Sequence, residues 1–152
     1  MIDKKYPYRL WKLGKDYRRY AEVIFNNKID GTDSRPLYFM IGHSFELVLK
    51  AFLLTKENFS IDVLRRREYG HNLKNLFDKA KQFEEFLEII KSSNNIESDI
   101  NDHNAYYKGP DRDFEYIETE IMFVRPPKIL FENLDILING CEKICEDFIH
   151  SR

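Results

Sequence analysis

Three ionisable residues fall on one side of a segment that is otherwise apolar. His43, Glu46 and Lys50 are spaced at i, i+3 and i+7, which places them on one face of a helix. Ionisable side chains in an apolar helix cost stability unless they are paired or reach solvent. Two interpretations remain open. Glu46 and Lys50 form an intrahelical ion pair at the surface of a bundle, or the three residues line a polar binding groove between helices.

A second group of candidate residues follows, in the segment from Arg65 to Leu73. Three consecutive arginines, Arg65, Arg66 and Arg67, can hold a phosphate group through forked hydrogen bonds. His71 is one of only four histidines and is the natural candidate for proton transfer near neutral pH. The alternative interpretation is structural, with the arginines on a solvated helix end and His71 fixing the turn into the next helix.

Other chemistry finds little support in the sequence. His103 has no second histidine or cysteine ligand at helical spacing, and Cys141 and Cys145 indicate reduced core residues of a cytoplasmic protein. A metal site that includes His150 is a weaker alternative. The chain has no phosphate-binding glycine loop and no paired-cysteine zinc motif, so we expect no metal and no cofactor.

Helices must position these residues. The first is predicted over residues 8 to 26, with a stripe that we expect to face the core. The second, over residues 36 to 56, is apolar on most sides and is expected in the middle of a bundle. Ser60 caps a third helix that ends near Tyr69, with Gly70 as a left-handed stop. The stripe of the first helix consists of Leu10, Leu13, Tyr17, Tyr20 and Ile24.

A fourth helix begins at Asn72, and residues 83 to 90 either continue it or follow a kink. A short helix over about residues 96 to 106 comes next. Residues 114 to 124 form either an extended excursion or the start of the last helix. That last helix opens at Pro126-Pro127, and its a/d seam packs on the core, on a second subunit, or on both. The seam residues are Leu130, Leu134, Leu137, Cys141, Ile144 and Phe148.

The sequence therefore predicts an all-α antiparallel bundle of about five to six helices in one domain, residues 1 to 152. At 43% hydrophobic and 33% charged residues, the chain is too apolar for a disordered protein and too charged for a membrane protein. A net charge of −2 gives no global attraction to nucleic acid, so any such contact must be local. The N-terminus has no apolar signal segment, and we expect a cytoplasmic location without membrane contact.

Two motifs, in this order, resemble the HEPN (higher eukaryotes and prokaryotes nucleotide-binding) superfamily. They are the Glu46-x-x-x-Lys50 pattern of a central helix and the Gly70-His71-Asn72-Leu73 opening of a later one. The resemblance covers roughly residues 10 to 148. It implies a helical bundle that is frequently dimeric, and many HEPN proteins are metal-independent ribonucleases of toxin–antitoxin or phage-defence systems. Others bind nucleotides or partner proteins.

Two functions follow as expectations. The first is a HEPN-like interaction module, a homodimer that binds nucleotide, RNA or a partner protein in a prokaryotic stress or defence system. The second is a metal-independent endoribonuclease. The ribonuclease members resemble one another in an Arg-x(4–6)-His motif, which Arg66 and His71 match with four intervening residues. In that case His71 is the acid/base, Arg66 with Arg65 stabilises the phosphate, and Glu46 and Lys50 form the orienting groove.

Overall fold

A computed structural model describes residues 3–108 and 124–152. These residues form seven helices and no strand, which confirms the all-α bundle. The count exceeds the expected five to six because the segment that begins with the fourth helix is divided in two. The helices are α1 (Tyr6–Asn26), α2 (Arg35–Leu54), α3 (Ile61–Leu64), α4 (Leu73–Ala80), α5 (Glu84–Ile90), α6 (Ile96–Tyr107) and α7 (Pro127–Ile149).

Helix α2 lies at the centre and packs against α1 as an antiparallel hairpin. A Cβ atom on Gly14 would lie 2.8 Å from Cγ2 of Val48, so glycine permits a close approach of the two helices. The buried hydroxyl of Ser44 donates a hydrogen bond to the carbonyl of Gly14 at 2.7 Å. Further along α1, Tyr17 meets His43, an earlier residue of α2, as an antiparallel arrangement requires.

Helix α7 closes the bundle against α1 and α2. The indole Nε1 of Trp11 donates to the carbonyl of Ile138 at 2.8 Å, and Phe25 packs edge-to-face on Phe131. The first four residues of the predicted seam are fully buried in this chain's own core, so they are not free to pair with a second subunit. These residues are Leu130, Leu134, Leu137 and Cys141.

Helix α2 is also the one described helix that is long and apolar enough to cross a membrane. Within the bundle, however, 78% of its apolar window is buried. Burial by surrounding helices is typical of the core helix of a soluble protein.

The expectation for the core face of α1 was wrong. Leu13, Tyr20 and Ile24 of the predicted stripe are exposed, and the buried face carries Trp11 and Ala21 instead. Two apolar stripes compete on this helix. The core selects the one with the large indole and with small residues where α2 approaches, because that face packs more closely.

Local sequence signals set several helix ends. The side chains of Ser60 and Asn72 accept hydrogen bonds from backbone N–H groups three residues later, as N-caps do. The expected left-handed stop at Gly70 was wrong, because the residue with positive φ is His71, at 54°. The third helix also ends earlier than expected, at Leu64, and turns lead from there to α4.

The segment after α4 follows the kinked alternative, since α5 is a separate helix that begins after Phe83. Helix α6 has 12 residues. Its buried face mixes apolar and polar side chains, so the sequence of this helix shows only a weak amphipathic pattern. The alternatives for residues 114–123 lie outside the described residues. Val124 precedes α7 without regular structure.

Candidate functional site

The site is built around one buried carboxylate, that of Glu46 on α2, whose residue is 3% exposed. Oε2 accepts a hydrogen bond from the ammonium of Lys50 at 2.7 Å, so the intrahelical pair exists but lies inside the bundle. Oε1 accepts from Nδ1 of His71 at 2.8 Å and from the hydroxyl of Tyr107 at 2.7 Å. The carboxylate therefore joins α2, the turn before α4, and α6.

A second histidine belongs to the same network. Nδ1 of His43 lies 3.2 Å from the hydroxyl oxygen of Tyr107 and 3.8 Å from Oε1 of Glu46. The His43 ring also contacts Phe39 and Tyr17. We call the five linked residues the Glu46 cluster. They are His43, Glu46, Lys50, His71 and Tyr107.

Gly42 has no side chain, and this lets α6 pack closely on α2 beside the Glu46 cluster. A Cβ atom on Gly42 would lie 2.8 Å from Cδ1 of Tyr107 and 3.0 Å from Nε2 of His103. Only glycine leaves room for both rings. The hydroxyl of Tyr107 can therefore reach Glu46 one turn further along α2.

The turn that carries His71 is held from two sides. The side chain of Asn72 accepts from the N–H of Asn75, and that of Asn104 on α6 accepts from the N–H of Leu73 at 2.8 Å. His71 itself adopts φ 54°, a conformation uncommon outside glycine. Strained backbone of this kind costs free energy and persists only where surrounding contacts impose it, which is frequent at functional sites.

Burial alone would raise the pKa of Glu46, because a low-dielectric environment disfavours the charged form. The nearby imidazoles of His43 and His71 and the Lys50 ammonium outweigh burial and hold the pKa far below its usual range. Glu46 is therefore ionised and can only accept hydrogen bonds. It follows that Nδ1 of His71 carries a proton and that, in the neutral ring, Nε2 is the acceptor.

The arginine segment borders this cluster. Arg65 and Lys50 line one cavity of about 140 Å³ between α1, α2 and α3. The carbonyl of Arg66 accepts from the N–H groups of Tyr69 and Gly70, which folds the chain back toward His71. Arg65, Arg66 and Arg67 are exposed, and none forms an ion pair with residues 3–108 or 124–152.

The structure thus brings together His43, Glu46, Lys50 and His71 of the sequence candidates. Arg65 reaches the cluster through the shared cavity, and the backbone carbonyl of Arg66 lies in the turn that leads to His71. No contact within the described residues joins Arg67 to the cluster. Sequence reasoning missed Tyr107. Its signal was the polar spacing of α6, where Asp99, His103 and Tyr107 recur every four residues.

The remaining titratable candidates lie apart from the Glu46 cluster or take no role in it. His103 is buried, with Nε2 2.9 Å from the carbonyl of Tyr38, and burial lowers its pKa to about 4. Burial likewise raises the pKa of Cys145 to about 12, and Cys141 is as inert. No three His, Cys, Asp or Glu side chains within residues 3–108 and 124–152 are arranged to hold a metal ion.

Comparisons with protein-family models, with curated proteins and with solved structures found no match to this chain. The relationship to HEPN proteins therefore stays a prediction that rests on the two sequence motifs. Both motifs contribute to one site, since Glu46 and Lys50 of the first contact each other and Glu46 contacts His71 of the second.

Proposed function

We propose that this chain is a cytoplasmic, HEPN-like helical module that binds a phosphate-bearing ligand, a nucleotide or RNA, beside the Glu46 cluster. One observation carries the proposal. An ionised, buried carboxylate orients a partly exposed imidazole, that of His71, in the turn that follows three exposed arginines, and these arginines form no ion pair within residues 3–108 and 124–152. The guanidinium groups are cationic donors that suit phosphate oxygens, and Nε2 of His71 donates to such an oxygen when the imidazole is protonated.

The arginines must supply most of the attraction, because Glu46 already offsets the charge of Lys50. Within the described residues, no ion pair has to break before the guanidinium groups bind an anion. With a net charge of −2, the chain offers no long-range field, so binding depends on this local patch and weakens as salt rises.

The test measures fluorescence anisotropy of a labelled single-stranded RNA, with ATP and GTP as competitors, over a series of salt concentrations. We expect Arg65→Ala/Arg66→Ala/Arg67→Ala to weaken binding at least about tenfold and to flatten the salt dependence. The matched control, Lys91→Ala/Lys128→Ala/Lys143→Ala, removes three exposed positive charges elsewhere and should leave binding unchanged. Equal losses in both variants, or no binding by the wild type, would overturn the proposal.

A second candidate, a metal-independent endoribonuclease, is favoured by the contact between Glu46 and His71. A carboxylate on Nδ1 fixes the tautomer and leaves Nε2 to accept a proton, the arrangement used by general-base histidines. The side chain of His71 is 41% exposed and so is accessible to an RNA 2′-hydroxyl. Arg66, with Arg65, would then stabilise the charge that develops on the phosphate.

RNA cleavage in EDTA separates the two candidates. A ribonuclease should lose activity in His71→Ala and in Arg66→Ala, while His150→Ala, an exposed histidine at the end of α7, keeps it. Expression of the wild type should then arrest growth, and His71→Ala should abolish that arrest. Intact RNA after incubation with wild-type protein that binds it would leave the binding module as the function.

A further inference from the structure

Two neighbouring cavities lie where the start of α1 meets the end of α2 and helix α3. The smaller one, of about 140 Å³, is the cavity that Lys50 and Arg65 of the candidate site line. The larger one has a volume of about 420 Å³. The two cavities have three lining residues in common, so they adjoin and together form a groove. We call it the α1–α3 groove, and the shared residues are Tyr6, Leu54 and Ile61.

The walls of the two cavities differ in charge. Lys50 and Arg65 bring cations to the smaller cavity. Asp3 and Asp62 bring carboxylates to the larger one. Asp3 is held in an ion pair with Arg9, whereas Asp62 is exposed and forms no ion pair with any other described residue. The groove therefore has a cationic end and, beyond the shared residues, an end with one unpaired carboxylate.

The sizes and walls of the cavities match the parts of a nucleotide. Pockets that enclose whole small ligands measure about 300–1,000 Å³, so the larger cavity can hold a ring system and the smaller one only a compact group such as phosphate. Arg65 supplies most of the attraction for a phosphate, because Lys50 already pairs with Glu46. The larger cavity includes the aromatic side chains of Tyr6 and Phe59, on which a base can stack.

The unpaired carboxylate of Asp62 is suited to one base in particular. An ionised carboxylate only accepts hydrogen bonds, and its two oxygens can accept from two adjacent donors at once. Among the four RNA bases, guanine alone has two adjacent donor groups on its Watson–Crick edge, N1–H and the N2 amino group. The other three bases place an acceptor beside their single donor group, and a carboxylate repels that acceptor. In single-stranded RNA this edge is open to a protein.

We propose that the α1–α3 groove is a guanine subsite of the candidate site. The base stacks against Tyr6 and Phe59, and Asp62 accepts hydrogen bonds from its Watson–Crick edge. Arg65 binds the phosphate of the same nucleotide. The inference rests on the proposed phosphate-binding function and adds a preference for guanine to it. The same chemistry serves a guanosine within single-stranded RNA and a free guanine nucleotide.

The test measures fluorescence anisotropy of a labelled uridine heptamer and of heptamers with guanosine, adenosine or inosine at the central position. We expect guanosine to raise the affinity at least about fivefold over uridine and adenosine, the discrimination typical of a bidentate contact. Inosine lacks the N2 amino group and should give an intermediate affinity. Competition by GMP and UMP distinguishes the two sources of guanine. Stronger competition by GMP supports a subsite for free nucleotide, and a preference seen only in the heptamers supports one for RNA.

Variants assign the preference to the groove. Asp62→Asn should abolish the preference for guanosine without weakening the uridine heptamer, because an amide offers one acceptor oxygen instead of two. Asp102→Asn, at an exposed carboxylate on α6, is the matched control and should keep the preference. Tyr6→Leu should weaken the guanosine heptamer about fivefold, whereas Tyr20→Leu, at an exposed tyrosine outside the groove, should not.

The heptamer series separates the two proposals. Equal affinity of the wild type for the uridine and guanosine heptamers would overturn the guanine subsite and leave the proposed phosphate-binding function in place. A preference for guanosine that survives Asp62→Asn would also overturn the subsite, because the base would then be recognised elsewhere. A wild type that binds neither heptamer nor GMP would overturn both proposals.

Discussion

Two buried carboxylates lie near opposite ends of α6, and the groups that hydrogen-bond to them differ. Near its beginning, Asp99 is 2% exposed and accepts hydrogen bonds from Asn133 of α7 at 2.9 Å and from Arg125 at 2.7 Å. At its end, Tyr107 donates to Glu46, which is 3% exposed. Both carboxylates are fully paired, as buried charges must be.

The partners make the difference. Asp99 is held by an amide and a guanidinium, and neither group serves as an acid or a base in catalysis. This contact therefore only ties α6 to α7 and to the segment before it. Glu46 is held by groups that include an imidazole with an exposed edge, and the turn before that imidazole follows arginines with no ion pair among the described residues. Burial of a carboxylate is therefore a poor guide to function by itself. What matters is whether its partners keep a reactive atom at the surface.

The largest expected effect comes from removing either carboxylate. Glu46→Ala and Asp99→Ala should each lower the free energy of unfolding by about 3–5 kcal/mol, because each leaves buried donors without a partner. The measurement is chemical denaturation followed by circular dichroism.

The isosteric variants test the difference in function between the two carboxylates. Asp99→Asn should leave RNA binding unchanged in the folded protein, and Glu46→Gln should weaken it. Equal RNA binding in both would remove the functional distinction between the two ends.

Between the two ends, His103 should make stability depend on pH. Its pKa falls from about 6.5 to about 4 on folding, so the unfolded chain binds more protons between these values. Stability should drop as pH falls from about 6.5 to 4, by up to about 3 kcal/mol. His103→Gln should flatten the profile in this interval. The lowered pKa of Glu46 acts in the same direction as the pH falls through about 4.5, where the carboxyl of the unfolded chain is half protonated.

A smaller effect is expected from the hydroxyl that joins α6 to the Glu46 cluster. Tyr107→Phe keeps the ring in its packing and removes one hydrogen bond to Glu46, which retains Lys50 and His71. The free energy of unfolding should fall by about 1 kcal/mol. Unfolding in urea measures it, with Tyr20→Phe as the control at an exposed tyrosine. An unchanged free energy of unfolding in Tyr107→Phe would mean that this hydrogen bond makes no net contribution to stability.

The smallest effect on stability is expected at the arginines. Arg65→Ala/Arg66→Ala/Arg67→Ala should change the free energy of unfolding by only about 0.5 kcal/mol, because the side chains are exposed and unpaired within the described residues. Thermal denaturation provides the measurement. A large loss would show that the arginines serve the fold, and the comparison with the Asp99 end would then fail.

Local interactions explain how much of this architecture the sequence predicted. Helix periodicity located α1, α2 and α7 within a few residues, and the cap predicted at Ser60 formed. The spacing of His43, Glu46 and Lys50 correctly placed them on one face of α2, since 3.6 residues per turn leaves no alternative.

Longer-range packing decided the rest. Two apolar stripes on α1 satisfy the same periodicity, and only the close fit against α2 and α7 selected the one with Trp11. The left-handed residue shifted from Gly70 to His71 because contacts from Glu46 and from the turn around Asn72 hold it there. Tyr107 joined the site through a space that Gly42 leaves open. Residues distant in sequence made each choice, and their contacts exist only in the folded chain.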